Sequence, residues 1–192
     1  LLMHSNNFCD WVSPNSIVDN FGKNPLIGSP VNAKMLLNQC QNRSKIPEYL
    51  IELNLLQDSD KLQELVGHGI SDVYNQLYVY QNKFLDILAL HRIGEEVAKA
   101  TVVEIKSQTS RKTIEMGLEE MGNYIYSVTD YITRNTSRTF GILLTPPLRD
   151  IGLRAVYKKK VEEVAELYNI DVAKIMWIQF HPNNEMELES IE

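Results

Sequence analysis

The chain is poor in cysteine, has no long apolar run and carries no overall surplus of positive charge. The two cysteines among its 192 residues, Cys9 and Cys40, are too few for a disulfide framework and lack the spacing of a zinc site. The longest apolar runs, such as Ile175 to Ile178, fall far short of the ~20 residues that cross a bilayer. No apolar segment near the first residues is typical of an export signal. We therefore expect a cytoplasmic protein without a membrane partner.

Positive charge is scarce overall but unevenly placed. The formal net charge of −6 argues against a nucleic-acid partner, because binding to phosphates depends largely on Lys and Arg. Residues 106–160, however, hold ten Lys and Arg against five Asp and Glu, a charge of +5 that leaves −11 for the remainder. This asymmetry is compatible with one basic face on an acidic protein, and equally with an uneven surface that has no function.

Composition divides the chain into an arm, a domain and a tail. Residues 1–32 are rich in Asn, Ser, Pro and Gly, which predicts an irregular arm. Residues 33–181 carry the helix and strand patterns of the predicted domain. Residues 182–192 alternate acids with isolated apolar side chains, which predicts a frayed acidic tail.

Within the domain, helical spacing gives way to strand patterns and then alternates with them. Apolar spacing between residues 31 and 67 indicates two or three helices, broken near residues 46–47 and 58–59. Three apolar segments then predict an antiparallel meander of strands, at residues 73–80, 84–90 and 101–106. A strand at 139–145, a helix at 148–168 and a strand at 173–180 complete the order. The predicted class is α/β or α+β, with one mixed sheet flanked by helices.

The longest helix is predicted to begin after Ser110, a residue type that caps helix N-termini. Apolar residues then recur in alternating steps of four and three, which marks one buried stripe. They are Ile114, Leu118, Met121, Ile125, Val128 and Ile132. Arg111 and Lys112 occupy the first turn, where the helix dipole disfavours positive charge. This placement fits a phosphate-binding rim, and it fits two solvated cations as well.

Asp86 lies within an otherwise apolar segment, Phe84 to Leu90. An ionised carboxylate buried there without a partner would cost several kcal/mol, so we expect it to have a specific companion. Glu104 and Lys106 are candidates on the next strand, because residues two apart in a strand point to the same face.

Only one strand register brings the acids together. If the connection is centred on Glu95, residue 90 opposes residue 100 and Asp86 opposes Glu104, with Cβ atoms roughly 5 Å apart. Two carboxylates so close repel each other unless a cation lies between them, and oxygen ligands favour Mg²⁺ or Mn²⁺. Lys106 would then orient or deprotonate a water, or steady the charge on a phosphate. A slip of one residue would remove the site.

Asp86, followed on the next strand by Glu104-Ile105-Lys106 and then by a long helix, resembles the PD-(D/E)xK nuclease superfamily. Phe84 to Ala89 is similar to that superfamily's metal-binding second strand, with Leu85 in place of the usual proline. The resemblance covers residues 45–181 and implies a restriction-endonuclease-like αβββαβ core, with a further helix and strand. It also implies a Mg- or Mn-dependent endodeoxyribonuclease, a hydrolase acting on ester bonds, with DNA as its partner.

Two further features resemble the RecB-like and archaeal mismatch-endonuclease branches. Those branches place Gln-x-x-x-Tyr on the helix after the lysine, where this chain has Glu120 and Tyr124, with Glu in place of Gln. They also carry a glutamate on the helix before the sheet, for which Glu48 is the first candidate and Glu52 the second. Nucleases of this type encoded by archaeal viruses are similar in size, and for such a protein the location is the host cytoplasm.

The resemblance assigns Asp86, Glu104 and Lys106 to catalysis. The implied metal ligands are Asp86, Glu104, the Ile105 carbonyl and Glu48. Tyr124 is an implied DNA contact, and charge makes Arg111, Lys112 and Arg138 further candidates.

Each assignment has a structural alternative. Glu104 and Lys106 would equally form a surface pair, Glu48 would complement a helix dipole, and Tyr124 would pack at the edge of the core. For the whole chain, the alternative is a catalytically inactive nuclease-fold module that binds DNA or assembles. The sequence does not separate DNA from RNA, or one DNA structure from another. A homodimer would place two symmetric sites on the two strands of a duplex.

Overall fold

The computed structural model describes residues 45–80, 83–182 and 187–191, together with residues 36, 39, 40 and 43. The arm expected at residues 1–32 lies outside the described residues. The four helices considered below are α1 (Glu48–Gln57), α2 (Ser59–Val66), α3 (Arg111–Val128) and α4 (Leu153–Tyr168). The strands are β1 (Asp72–Tyr80), β2 (Lys83–Ile93), β3 (Glu96–Ile105), β4 (Thr139–Thr145), β5 (Ile175–His181) and β6 (Glu187–Ile191).

These strands form one mixed sheet in the order in which they occur along the chain. β1, β2 and β3 are an antiparallel meander, as the short links predicted. β3, β4 and β5 are parallel, because α3 and α4 carry the chain back across one face of the sheet between them. The predicted class, a mixed sheet flanked by helices, is confirmed.

The core has two layers, one on each face of the sheet. On β3, Val102 packs into the cluster under α3 and α4, whereas its neighbour Val103 packs into the cluster under α1 and α2. Because side chains alternate between the two faces of a strand, this one segment contributes to both layers of the core. β4 does the same through Leu143 and its neighbours Ile142 and Leu144, all fully buried.

Helix α3 matches its prediction closely. The Ser110 hydroxyl accepts a hydrogen bond from the Thr113 amide at 3.2 Å, which caps the helix. The stripe from Ile114 to Val128 is buried against the sheet. Its last predicted member, Ile132, falls in a π-helical turn, Thr129–Thr133, and packs against the same cluster.

Two predicted boundaries were wrong. The helix expected from Leu148 begins at Leu153, because the Leu148 amide donates to the Gln179 side chain and the Gly152 amide donates to Asp150. The expected frayed tail instead contains β6, which pairs antiparallel with β5 through residues such as Trp177 and Ile191. No described helix combines the length and the apolarity needed to cross a bilayer.

Candidate active site

The β2–β3 hairpin sets the register that the site requires. Its turn consists of Gly94 and Glu95, and Gly94 adopts the left-handed conformation (φ +63°) that glycine tolerates. A bulge follows, since Arg92 pairs with Val97 and His91 with Lys99, which leaves Ala98 as the extra residue. The bulge restores the predicted pairing of residue 90 with residue 100, although the turn is not centred on Glu95.

This pairing continues to Ile87 and Val103, so Asp86 and Glu104 are the next opposed residues. The backbone hydrogen bonds between β2 and β3 end at this point. The Asp86 side chain takes the place of a backbone acceptor, because its Oδ2 accepts from the Ile105 amide at 2.7 Å. Oδ1 accepts from Gln76 Nε2 at 3.3 Å. Burial raises the pKa of Asp86 to about 6, an effect that the hydrogen bond from Ile105 partly offsets. Two hydrogen bonds thus fix the orientation of the Asp86 carboxylate, but neither donor is positively charged.

Glu104 is the most deeply buried acid of the site, with a residue exposure of 4%. Its Oε1 accepts from Lys106 Nζ at 2.5 Å, as expected for two side chains on one face of a strand. Its Oε2 is buried and has no hydrogen-bond partner in the described part of the chain. Burial, followed by repulsion from Asp86, raises the pKa of Glu104 well above its ordinary value. A buried carboxylate oxygen without a hydrogen-bond partner, beside a second acid, fits the chemistry of a cation ligand.

Lys106 lies between two carboxylates. Besides Glu104, its ammonium contacts Glu120 Oε2 on α3 at 2.7 Å, and the other oxygen of Glu120 contacts Lys83 Nζ on β2 at 2.5 Å. Burial alone would lower the pKa of Lys106, but Glu104 and Glu120 together raise it above its ordinary value. Gly117 leaves room for this side chain, because a Cβ there would lie 3.1 Å from Lys106 Cε.

The two candidate acids of α1 both lie near Asp86 but in different environments. Glu48 is exposed and accepts from the Ser107 amide at 2.8 Å, and its charge contributes to the raised pKa of Asp86. Glu52 is buried, and burial raises its pKa to about 7 despite a hydrogen bond from Asn75. Gln76 Nε2 joins Glu52 to Asp86, since it also donates to Glu52 Oε2 at 3.0 Å.

Gln76 occupies an unusual backbone position. Its φ is +50° in the middle of β1, a conformation that costs a non-glycine residue free energy and is common at functional sites. This conformation sends both Asn75 and Gln76 toward Glu52, although neighbours in a regular strand point to opposite faces. Strain in β1 is therefore what connects α1 to Asp86.

A hard divalent cation fits the donor set at Asp86 and Glu104. Mg²⁺ is commonly held by one or two protein carboxylates, with water and phosphate oxygens completing its shell. No group of three or more His, Cys, Asp or Glu side chains among the described residues is arranged to hold a metal by itself. For Ile105 the structure shows the amide bonded to Asp86, and the ligand role of its carbonyl stays a prediction.

Two of the predicted nucleic-acid contacts, Arg111 and Lys112, follow the site closely in the sequence. Arg111 and Lys112 are exposed in the first turn of α3, five and six residues after Lys106. Arg111 pairs with Glu115 on the same helix at 3.0 Å, an exposed pair that competes weakly with a phosphate.

The other two predicted contacts, Tyr124 and Arg138, lie in different surroundings, and their roles in nucleic-acid binding stay predictions. Tyr124 is buried, with 2% exposure, and its hydroxyl donates to the Phe84 carbonyl at 3.0 Å, so it braces β2 against α3. Arg138 precedes β4 at the end where Thr139 pairs with Ala100, whereas the site lies at the Ile105 end. Roughly 17 Å of strand separates Arg138 from the site, and it pairs there with Glu96 at 3.4 Å.

Sequence reasoning missed four residues that contact the site. Glu120 was noticed only as a departure from a motif, although its four-residue spacing from Tyr124 places both on one helix face. Asn75, Gln76 and Lys83 carry no signal in the sequence, because the first two depend on a backbone distortion in β1 and Lys83 on a contact between β2 and α3.

The described site consists of the buried Glu104 and the following Lys106 at the carboxyl end of β3, together with the half-buried Asp86 on the neighbouring β2. The chain was compared with family models, curated proteins and solved structures, and none of them matches it. What the site can do follows from its own side chains.

Proposed function

We propose that this protein is a metal-dependent nuclease that hydrolyses DNA phosphodiester bonds at Asp86, Glu104 and Lys106, within a restriction-endonuclease-like core. One observation carries the proposal: the buried Oε2 of Glu104 has no hydrogen-bond partner among the described residues and lies in a site that also holds Asp86 and a lysine. A buried carboxylate oxygen without a partner costs free energy, and a bound cation would offset that cost.

The chain's own residues divide the work. Asp86 and Glu104 would hold Mg²⁺ or Mn²⁺, with the Ile105 carbonyl and Glu48, directly or through water, as further ligands. The bound ion would supply Lewis acidity and a water of lowered pKa. The Ile105 amide and Gln76 fix the direction of the Asp86 carboxylate, which limits its freedom to turn away from the ion.

Lys106 would contact the phosphate or the attacking water. Its ammonium has three N–H donors, and the structure gives it two acceptors, Glu104 Oε1 and Glu120 Oε2. One donor is thus available to an oxygen of the substrate. The ion pairs with Glu104 and Glu120 keep Lys106 charged, so its role is to position groups and stabilise negative charge.

The charge of the site explains why a cation would be needed for binding as well as for chemistry. Five carboxylates and two ammonium groups lie in contact or in electrostatic range of one another: Glu48, Glu52, Asp86, Glu104, Glu120, Lys83 and Lys106. When all are ionised, this cluster repels a phosphate. A divalent ion offsets two of the three excess negative charges.

A catalytically inactive nuclease-fold module that binds DNA or assembles is the second candidate. The absence of a preformed three-ligand metal group among the described residues favours it. In that case Lys106 would serve only to neutralise Glu104 and Glu120.

Cleavage of a labelled DNA panel separates the two candidates. Single-stranded, duplex, mismatched and branched DNA would be incubated with Mg²⁺, Mn²⁺ or EDTA, and calorimetry would measure metal binding. We expect metal-dependent cleavage that Asp86→Asn and Glu104→Gln abolish and that Glu162→Gln, a control on an exposed acid of α4, leaves unchanged. Binding without cleavage in either metal, unaffected by Asp86→Asn, would favour the inactive module.

A further inference from the structure

Two large aromatic side chains are exposed on the β1–β2 hairpin. Tyr78 is 41% exposed and Phe84 is 50% exposed, and the two residues are directly opposed in the strand register. Their ring centroids lie 5.5 Å apart with planes inclined at 67°, an edge-to-face pair. The neighbours Leu77 and Leu85 pack into the α3 cluster, so the aromatic pair faces away from that core.

The pair lies next to Gln76 and Asp86 along β1 and β2, on the face of the sheet opposite to α3. Asn75 pairs with Ile87 and Leu77 with Leu85, so Gln76 and Asp86 form the cross-strand pair between them. Tyr78 and Phe84 form the pair two residues further along, about 7 Å away on the same strands. A nucleotide whose phosphate lay near Asp86 would therefore have its base, or that of its neighbour, within reach of these rings.

The hairpin that carries the rings is attached to the residues that hold Lys106. The Tyr124 hydroxyl of α3 donates to the Phe84 carbonyl at 3.0 Å, and Lys83 Nζ contacts Glu120 at 2.5 Å. The backbone that carries the rings is thereby fixed relative to α3 before a ligand arrives, which reduces the entropy lost on binding.

The surrounding charge favours an uncharged contact. The carboxylate cluster has an excess of negative charge, so affinity near Asp86 cannot come from a surplus of lysines. Stacking of bases on aromatic side chains is independent of charge and tolerates any base. A base inside a duplex is already stacked on its neighbours and offers no free face.

We propose that Tyr78 and Phe84 form a stacking surface for an unpaired base beside the phosphate that is cleaved. The inference rests on the proposed nuclease function and names its substrate class: DNA with unpaired nucleotides at the cleavage position, rather than continuous duplex.

The test uses oligonucleotides that carry the fluorescent base 2-aminopurine, either unpaired or within a duplex, with Ca²⁺ in place of Mg²⁺. We expect the wild type to quench the unpaired probe and to bind it more tightly than the paired one. The Tyr78→Leu, Phe84→Leu double variant keeps apolar side chains but removes the π faces, and should bind the unpaired probe roughly 5- to 150-fold more weakly. Tyr126→Leu, which removes an exposed ring on α3, is the matched control and should change nothing.

Three outcomes would overturn the inference: equal affinity of the double variant and the wild type for the unpaired probe, an equal loss for both probes, or a wild-type dimer that the double variant converts to monomer. If the double variant unfolds, Phe84→Leu is compared with Phe84→Tyr, which retains a ring. Quenching without cleavage of any DNA in Mg²⁺ or Mn²⁺ would refute the nuclease and with it the substrate class. Cleavage with quenching that ignores the substitutions would refute the stacking surface alone.

Discussion

The antiparallel half of the sheet, β1 to β3, and the parallel half, β3 to β5, share one strand but differ in what they bury. β4 is apolar from Ile142 to Leu144, and its buried Thr145 hydroxyl accepts from the Trp177 indole at 2.9 Å. In the antiparallel half, Glu104 is buried, and its Oε2 has no hydrogen-bond partner among the described residues. The same half contains Gln76 in the left-handed backbone conformation and a bulge at Ala98. The regular strands of the parallel half thus contribute to stability. The irregular strands of the antiparallel half hold charged groups whose burial costs free energy.

The largest expected effect comes from neutralising an acid of the antiparallel half. Asp86→Asn should reduce cleavage by several orders of magnitude, because groups that act as one unit are lost together. The same change should raise the melting temperature of the metal-free protein at pH 8. Burial raises the pKa of Asp86 from 3.8 to about 6, so the folded state binds its proton more tightly than the unfolded state does. Stability is therefore lost as the pH rises through this interval, and Asn avoids that loss.

Thermal melts in EDTA at pH 8 and near pH 4 measure this difference. The advantage of Asp86→Asn should disappear near pH 4, where Asp86 is largely protonated in the folded protein. A variant less stable than the wild type at pH 8 would mean that Asp86 is a structural residue.

A core truncation in the parallel half should have the opposite profile. Phe180 on β5 is fully buried, so Phe180→Ala should lower the free energy of unfolding by about 3–5 kcal/mol. Its cleavage rate per folded molecule should stay unchanged. Denaturant unfolding gives the first quantity, and activity scaled to the folded fraction gives the second. A fall in activity beyond the folded fraction would show that the two halves are coupled.

Removal of divalent metal should affect stability only through the acids of the antiparallel half. An ion that binds the folded state alone, at 100 times its dissociation constant, stabilises it by about 2.7 kcal/mol. We expect Mg²⁺ or Mn²⁺ to raise the melting temperature of the wild type and of Phe180→Ala equally, and not that of Glu104→Gln. A comparable rise in Glu104→Gln would place the ion elsewhere.

The smallest effect is expected from the residues that hold Lys106 in place. Glu120→Ala should lower activity by roughly 10- to 100-fold, the usual effect of losing a supporting partner. Lys83→Met, which leaves the Lys106–Glu120 contact intact, should cost less, and the double variant should cost no more than Glu120→Ala alone. Additive losses would show that Lys83 contacts the substrate itself. Glu120→Gln, which keeps a hydrogen-bond acceptor, should recover part of the activity.

Much of the fold could be predicted because local patterns determine it. The structure reproduces three features that residue type and spacing predict locally: the Ser110 cap, the buried stripe of α3 and the strand at residues 139–145. The frayed tail was wrong because Leu188 and Ile191 were too few to predict a strand. The segment forms a strand because Leu188 pairs with Phe180 and Ile191 with Trp177 of β5.

The site could be predicted only as far as strand geometry reaches. The pairing of residues 90 and 100 was predicted from a turn centred on Glu95, whereas the structure reaches it through a two-residue turn and a bulge at Ala98. The shared face of Glu104 and Lys106 follows from strand geometry. The contacts of Gln76 could not be foreseen, because a positive φ at a glutamine has no sequence signal. For Tyr124 and Arg138 the sequence has another limit: residue type shows what a side chain can bind, whereas burial and strand end decide whether a ligand reaches it.

The bulge at Ala98 has a consequence for how such sites are found in other chains. Seventeen residues lie between Asp86 and Glu104, an odd number, whereas a regular hairpin with a two-residue turn separates opposed residues by an even number. Ala98 absorbs the difference. With the same two-residue turn, a chain with sixteen intervening residues and no bulge would oppose the same acids, and a chain with seventeen and no bulge would not. A site of this kind is therefore recognised by the pairing of its strands, counted with turn length and bulges, rather than by a fixed spacing of the two acids.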